Sequence, residues 1–176
     1  MLETPRLILR QWQLTDQQAF IAMGQDPDVM HYFPKCLSKE ESLKFIEAVT
    51  EIIQRQGWGF WAVELKTTGQ FIGFVGLHEQ ATQFDFSPCV EIGWRLAKPF
   101  WRQGYATEAA QAALDYAFHT LQLEKVVSFT AVANHPSEAV MQKLGMNKVG
   151  EFNHPKLPAQ HHLERHVLYE LKKPSA

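Results

Sequence analysis

The sequence predicts an α/β fold in a single domain, residues 1–176, built on a mixed sheet. Segments with strand-like alternation and segments with helical spacing follow one another in the order β-α-α-β-β-β-α-β-α-β-β. No repeat, low-complexity tract or linker interrupts this order. A chain of 176 residues is also long enough to bury one sizeable core.

The first strand and the first helix are predicted close to the N-terminus. Arg6 to Trp12 (RLILRQW) is a short run that favours a strand. Thr15 and Gln18 have the spacing of a capping box, which predicts a helix that runs through Met23. A glycine and a proline shortly afterwards end this helix.

A second helix is predicted after an irregular segment. Ser38 and Glu41 form another capping-box pattern, and Gly57 is placed to end the helix. Between these signals, apolar residues recur at helical spacing at Leu43, Ile46, Val49 and Ile53.

The middle of the chain is predicted to form three strands and an alanine-rich helix. WGFWAVEL and FIGFVGL are strand-like runs joined by KTTGQ, which is hairpin spacing with a glycine in the turn. CVEIGWRL is the third strand. The helix runs from Gly104 to about Leu121, and its small side chains allow it to lie close to a sheet.

The C-terminal part supplies a strand, a helix and two further strands. Lys125 to Val132 is rich in β-branched residues, which favours a strand. His135 to Leu144 is a predicted helix, with a proline tolerated in its first turn and Gly145 as its C-cap. NKVGEF and RHVLYEL are the last two strands.

Composition excludes several classes of protein. The formal net charge is −2, with 17 Lys plus Arg against 19 Asp plus Glu, whereas a dedicated nucleic-acid binder carries a basic excess. Two cysteines are too few for a disulfide framework. No apolar run is long enough to span a membrane, and the N-terminus does not resemble a signal peptide. We expect a cytoplasmic protein, monomeric or homodimeric, that binds neither nucleic acid nor membrane.

The junction KPFWRQGYATEA places a glycine loop between a strand and a helix. The first backbone N–H groups of the helix have no partner within it and carry the positive end of its dipole, which suits a phosphate. Gly104 permits close approach, Thr107 can add a hydroxyl donor and Arg102 a charge. The motifs of P-loop NTPases and Rossmann proteins are missing. A tight turn that binds nothing, or a domain for another phosphate ligand, remains an alternative.

The same region resembles a known family. VEIGWRLAKPFWRQGYATEA is similar to the cofactor-binding motif of the GNAT N-acetyltransferases, in particular the branch with the ribosomal-protein-alanine acetyltransferases. Gly104 and Ala106 fill the last two places of that motif, while Trp101 stands where Arg or Gln is usual. NHPSEAVMQKLGMNKVGEF and TPRLILRQWQLTD resemble two further blocks of the family, so the likeness covers essentially the whole chain.

The resemblance implies a fold, a reaction and a cofactor site. The fold would be a mostly antiparallel sheet of about seven strands with a splayed central parallel pair, flanked by about four helices. The reaction would move acetyl from acetyl-CoA to an amine by direct attack in a ternary complex, without metal. The backbone would hold the pantetheine arm and the diphosphate, and one asparagine would contact the arm from the other wall. These residues are Trp94, Arg95 and Leu96; Arg102, Gln103, Gly104, Tyr105, Ala106 and Thr107; and Asn134.

Three residues are candidates for proton transfer. Ser137 matches the serine that protonates the departing thiolate in some family members, or it only satisfies the first turn of its helix. Glu91 lies among apolar neighbours on a strand, where burial would raise the pKa of a carboxyl and make it a base; it is otherwise an orienting acceptor or a solvated residue. His154, in a proline-rich loop, is a proton acceptor or simply solvated.

A zinc site in HHLERH is not expected. If RHVLYEL is a strand, positions four apart are separated by ~13 Å along it, so His162 and His166 cannot share a metal. Cys89, on a buried strand, is not expected to carry the acyl group.

The acceptor pocket is predicted from aromatic residues. Tyr32 and Phe33 precede the second helix, where the family builds its acceptor pocket, and Trp61 is a further candidate. Core packing is the alternative for all three. Peptide or protein N-termini are the first choice of acceptor by resemblance, followed by small-molecule amines. The rival function is a non-catalytic acyl-CoA-binding or sensing domain.

Overall fold

The computed structural model describes residues 1–174, and within them the chain forms an eight-stranded sheet and four α-helices. The strands are β1 (Leu2–Glu3), β2 (Leu7–Arg10), β3 (Phe60–Leu65), β4 (Phe71–Gln80), β5 (Cys89–Leu96), β6 (Lys125–Ala131), β7 (Asn147–Asn153) and β8 (Arg165–Lys172). The helices are α1 (Gln17–Gln25), α2 (Lys39–Gln56), α3 (Tyr105–His119) and α4 (His135–Lys143). None of the helices in this described range is long and apolar enough to cross a membrane.

The strands lie in the order β1-β2-β3-β4-β5-β6-β8-β7. Every neighbouring pair within residues 1–174 is antiparallel except β5 and β6, which run parallel. The predicted α/β fold with a mixed, mostly antiparallel sheet is therefore confirmed. The predicted count of about seven strands missed β1, whose two residues pair with Ile8 and Leu9 on β2. Two residues are too few to leave a periodic signal in the sequence.

The helix ends show which local signals were interpreted correctly. The Ser38–Glu41 capping box is confirmed, because the Glu41 N–H donates to Ser38 Oγ at 3.1 Å and the Ser38 N–H donates to Glu41 Oε2 at 2.8 Å. The predicted capping box at Thr15 and Gln18 is wrong. Asp16 instead accepts from the Gln13 N–H at 2.8 Å, and a short 3-10 turn precedes α1.

The two faces of the central sheet carry different layers. Phe74 on β4 meets Phe45 of α2, with ring centroids 5.2 Å apart. Trp61 on β3 meets Tyr116 of α3 at 5.5 Å. Trp61 pairs in register with Val75, the neighbour of Phe74, and adjacent strand residues point to opposite faces. Therefore α2 and α3 cover opposite faces, and the core lies in two layers around β2 to β5.

The parallel strands β5 and β6 separate almost at once. They pair in register only at Glu91 and Val127 over the described residues. One residue further along each strand, Ser128 Oγ donates to the Ile92 carbonyl at 2.9 Å, so a side chain replaces a backbone bond. Beyond this point the two strands enclose a gap, as the resemblance implied.

Gly73 allows β4 and β5 to pack closely beside this gap. Its φ is +142°, and a Cβ there would lie 2.2 Å from the Arg95 carbonyl oxygen. We expect Gly73→Ala to lower the free energy of unfolding by more than about 3 kcal/mol, because strain and a backbone clash add together. Gly69→Ala is the matched control, since its φ is +68° and no atom of the described residues would lie within 4 Å of the added Cβ. Strain alone should cost about 1 kcal/mol there. Equal losses in urea denaturation would contradict the clash.

Candidate active site

A cavity of about 1180 Å3 opens where β5 and β6 separate. Its walls come from both strands, from the segment before α2, from the loop before α3 and from the start of α4. All the site residues predicted from the sequence line it, except Gln103 and Trp61. The fold thus gathers side chains from across the chain into one place.

The edge of β5 presents backbone groups to the gap. Because the backbone polar groups of successive residues face opposite edges of a strand, Trp94 and Leu96 face the same edge as Ile92. The Leu96 carbonyl accepts from Trp101 Nε1 at 2.7 Å, so the Trp94 N–H and C=O and the Leu96 N–H are left for a ligand. The prediction for the Arg95 backbone is corrected, because its carbonyl points toward Gly73 on β4.

The loop before α3 exposes a run of unpaired amides. Arg102 and Gly104 have φ values of +60° and +81°, in the left-handed region. The N–H groups of residues 102–107 donate to no group within residues 1–174, and pairing begins only where the Glu108 N–H donates to the Gly104 carbonyl at 3.0 Å. Amides at the positive end of a helix dipole form a site for an anion.

Gln103 differs from the rest of this loop. Its side chain turns away and donates to the Pro99 carbonyl at 2.8 Å. Only its backbone N–H is therefore a candidate for ligand binding, and that is the part of Gln103 which the resemblance assigned to the diphosphate.

A brace behind the loop was not predicted from the sequence. Arg6 Nη1 donates to the Gln103 carbonyl at 2.9 Å, and Arg6 Nε donates to Glu108 Oε2 at 2.6 Å. Thr4 Oγ1 donates to the other oxygen of Glu108 at 2.6 Å. Partial burial opposes ionisation, but these hydrogen bonds outweigh it and lower the pKa of Glu108. Contacts between residues about a hundred positions apart leave no local pattern in one sequence.

Glu91 is the strongest candidate for a base. Its carboxylate lies in the cavity wall and accepts from Gln80 Nε2 at 2.6 Å. Burial raises the pKa of Glu91 to about 7, against the opposing effects of Gln80 and Lys156. A carboxyl that titrates near neutral pH can take a proton from an ammonium group and release it again.

Aromatic side chains form the wall next to Glu91. Phe60 stacks on His78 at 5.4 Å between ring centroids and contacts Phe74 at 5.1 Å. Gly93 leaves room for it, because a Cβ there would lie 3.2 Å from Phe60 Cε1. Alternation in WGFWAV showed that neighbouring residues face opposite ways, but not which of them faces the cavity.

The prediction that Trp61 lines the acceptor pocket is wrong. This tryptophan is 2% exposed and packs against Tyr116 of α3 on the far face of the sheet, so it cannot line the acceptor pocket. Tyr32 and Phe33 do line the cavity. Their pocket role stays a prediction.

The opposite wall is the start of α4. Asn134 Oδ1 accepts from the Ser137 N–H at 3.2 Å, and Asn134 Nδ2 donates to Thr130 Oγ1 at 2.9 Å. The Asn134 side chain therefore caps the helix, which limits what it can offer to a ligand. Ser137 lines the cavity, and its hydroxyl donates to no group in the described range.

His154 is less suited to the role of base. Its ring lies 4.9 Å from the ring of His166. Burial, together with His166 and Lys156, lowers the pKa of His154 to about 4. A ring that holds a proton so weakly is a poor acceptor at neutral pH. No cluster of three or more metal-ligating side chains occurs in residues 1–174, and His162 precedes β8 rather than lying on it.

Comparison with known proteins identifies the family. Residues 6–147 match the model of the Acetyltransferase (GNAT) domain. The chain is 34% identical over 147 residues to the uncharacterized protein YkkB of Bacillus subtilis, covering 83% of this chain and 84% of that protein. A GNAT-family acetyltransferase from Bacillus anthracis superposes with a TM-score of 0.80 at 26% identity, covering 98% of each chain.

These findings define a class and then a family. The fold is that of an acetyltransferase domain, and the chain belongs to the GNAT family. The ribosomal-protein-S5-alanine acetyltransferase from Vibrio fischeri has the same fold, with a TM-score of 0.72 at 19% identity, covering 97% of this chain and 95% of that one.

Proposed function

We propose that this protein is an N-acetyltransferase that moves the acetyl group of acetyl-CoA directly to a primary amine. Family membership supports acetyl transfer. The observation that carries the proposal is one cavity with an unpaired strand edge and free amides toward one end and the Glu91 carboxyl within its wall. Such a cavity can hold an extended anionic thioester beside a base.

The backbone would do most of the binding. The free groups of Trp94 and Leu96 suit the amides of a pantetheine arm lying along β5, and the amides of residues 102–107 suit a diphosphate. Asn134 contributes to the far wall of the cavity. Backbone donors bind an anion without basic side chains, so such a site is compatible with a formal net charge of −2.

Few side chains are needed for the chemistry. Glu91, directly or through a water, would take a proton from the substrate ammonium, and the neutral amine would then attack the thioester carbonyl. Ser137 would donate its hydroxyl proton to the departing thiolate and take up in exchange the proton that the newly acetylated nitrogen loses. A thiol has an ordinary pKa of ~8.5, so its thiolate is a good leaving group. An α-amine, with a pKa of ~8, needs less help from the base than a lysine at ~10.4. Alignment of the two substrates contributes the remaining acceleration.

Peptide or protein N-termini are the proposed acceptors. The Vibrio fischeri protein of the same fold is named for an alanine of ribosomal protein S5, which supports a peptide acceptor by analogy only. Small-molecule amines are the second choice. The proposed setting is the cytoplasm, where the free thiols of Cys36 and Cys89 would stay reduced.

Release of free thiol from acetyl-CoA across a panel of amines and peptides tests this function. We expect turnover with at least one N-terminal α-amine, and tighter binding of coenzyme A than of fragments that lack the diphosphate. Tight binding without turnover on any amine would favour the rival, a non-catalytic acyl-CoA sensor.

Replacing Ser137 with alanine tests its role as an acid. We expect kcat to fall about 10-fold or more, because the thiolate then leaves without a proton donor. Ser137→Thr, which keeps a hydroxyl, should recover most of the loss, and thermal unfolding of both variants reports any effect on α4. Unchanged turnover of Ser137→Ala across pH would remove this residue from the mechanism.

A further inference from the structure

Arg95 is a cation in the cavity wall without a hydrogen-bond partner among residues 1–174. Its Nε and Nη1 atoms are out of contact with solvent, and no acceptor of this part of the chain accepts from them. The guanidinium carbon sits 4.1 Å from the ring centroid of Phe33 and 5.3 Å from that of Phe74. The burial lowers the pKa of Arg95 to about 10, so the group stays charged at neutral pH.

No carboxylate of the described chain is placed to satisfy Arg95. Asp28, which also lines the cavity, is already paired with Lys98. Glu91 lies four residues earlier on β5, ~13 Å along the strand, and is bound to Gln80. A buried hydrogen-bond donor without an acceptor lowers the stability of the folded state, and most buried donors in folded proteins have an acceptor. The missing partner of Arg95 is therefore expected to come from a ligand.

The surroundings of Arg95 select the kind of ligand. The guanidinium carbon lies over the Phe33 ring, and this cation–π contact helps to hold the group in place. A planar fork of N–H donors held in this way matches the two oxygens of a carboxylate. Arg95 shares a strand face with Glu91 and Gly93, since the three alternate along β5. It therefore faces the side of the cavity where the amine is proposed to meet Glu91.

We propose that Arg95 binds a carboxylate of the acceptor, so that the substrate class is an amine carrying an acidic group some distance from the reactive nitrogen. This inference rests on the proposed function. The Cα atoms of Glu91 and Arg95 are ~13 Å apart along β5, and the side chains shorten the distance between the carboxyl and the guanidinium groups. That distance corresponds to about two or three extended peptide residues. The carboxylate is either an acidic side chain near a peptide N-terminus or the C-terminus of a short peptide. The adjacent carboxylate of a free α-amino acid is too close, and polyamines have no carboxylate.

Matched peptides test this with the unmodified protein. Ala-Ala-Asp-Ala-amide against Ala-Ala-Asn-Ala-amide probes an acidic side chain, and Ala-Ala-Ala against its C-terminal amide probes a terminal carboxylate. We expect kcat/KM to be about 10- to 100-fold higher for the carboxylate member of one pair, as for a charge-assisted hydrogen bond. The pair that responds identifies the source. Equal values in both pairs would overturn the proposal.

Substitutions assign the preference to Arg95. Arg95→Met should bring the carboxylate-to-amide ratio of kcat/KM close to one, while Arg95→Lys, which keeps the charge but loses the fork, should leave an intermediate ratio. A ratio is unaffected by a general loss of active protein. A ratio that stays at its original value in Arg95→Met would also overturn the proposal.

A binding measurement separates this inference from the proposed function. Calorimetry with coenzyme A present and the N-acetylated forms of the same peptides needs no turnover. Carboxylate-dependent binding that disappears in Arg95→Met would support the site even if no amine were acetylated, in which case only the proposed function fails. Absence of a difference between carboxylate and amide forms in both binding and turnover would reject the carboxylate site alone.

Discussion

Glu91→Gln is expected to lower kcat/KM at pH 8 by about 100-fold, the usual contribution of a positioned general base. Glutamine keeps the shape of the side chain and, by turning its amide, can still accept from Gln80. It cannot take a proton. The measurement is thiol release with the best acceptor of the panel, and Glu79→Gln, an exposed position on the adjacent strand, is the control that should leave kcat/KM unchanged.

The pH profile gives a second readout with a defined sign. The base must be ionised, and the pKa of Glu91 is about 7, so activity should fall as pH drops through about 7. The amine substrate loses its free base over a similar range. The profile of Glu91→Gln reports the contribution of the amine alone. Identical profiles for both proteins would exclude Glu91 as the base.

The free energy of unfolding should fall as pH rises, whereas activity should rise with pH. The folded pKa of Glu91 lies above the ordinary value of 4.5, so the folded state binds the proton more tightly and ionisation costs stability as pH rises from about 4.5 to 7. The full cost is about 3 kcal/mol above pH 7. Glu91→Gln should therefore be more stable than the original protein at pH 8, and within about 1 kcal/mol of it at pH 5. Urea unfolding at the two pH values measures this.

Gly104→Ala is expected to weaken coenzyme A binding by about 10-fold or more, the largest effect we expect on binding. Alanine is strained at a φ of +81°, and its Cβ would lie 3.3 Å from Arg6 Nη2, which belongs to the brace behind the loop. If the chain relaxes to a negative φ, the amides that follow Gly104 no longer point the same way. The dissociation constant of coenzyme A, measured by calorimetry, reports the change.

Two comparisons separate this effect from simple destabilisation. Gly145→Ala is the matched variant, because Gly145 has a φ of +76° and open space around it, and it should lose similar stability while keeping its affinity. Inhibition by pantetheine, which lacks the diphosphate, should change little in Gly104→Ala. Equal weakening of coenzyme A and pantetheine would mean that the loop does not hold the phosphates.

Most of the fold was predictable because its signals are local. The Ser38–Glu41 box and Gly57 mark the ends of α2, and CVEIGWRL coincides with β5 from Cys89 to Leu96. The Thr15–Gln18 box failed because Asp16, held by Arg10 through bonds of 2.8 and 2.9 Å, provides a competing cap. That pairing depends on tertiary structure.

The site was predictable only in part for the same reason. The loop at Gly104 has a local signature, and its backbone N–H groups donate to no acceptor among residues 1–174. Which face a strand residue occupies depends on how the whole sheet packs, so Trp61 was assigned to the cavity in place of Phe60. The lack of a hydrogen-bond acceptor for Arg95 Nε and Nη1 within residues 1–174 depends on how the surrounding elements pack, so no residue spacing in the sequence reveals it.

The near absence of pairing between β5 and β6 would make a ligand bound in the gap a structural component. Beyond Glu91 and the Ser128 hydroxyl, the sheet is continuous on either side but not across the gap. A thioester chain lying there would act as a missing strand that joins the two halves. Anything that binds only the folded state raises its stability with concentration, so this protein should be mechanically and thermally most robust while its donor substrate is abundant, and loosest along that seam when the donor runs low.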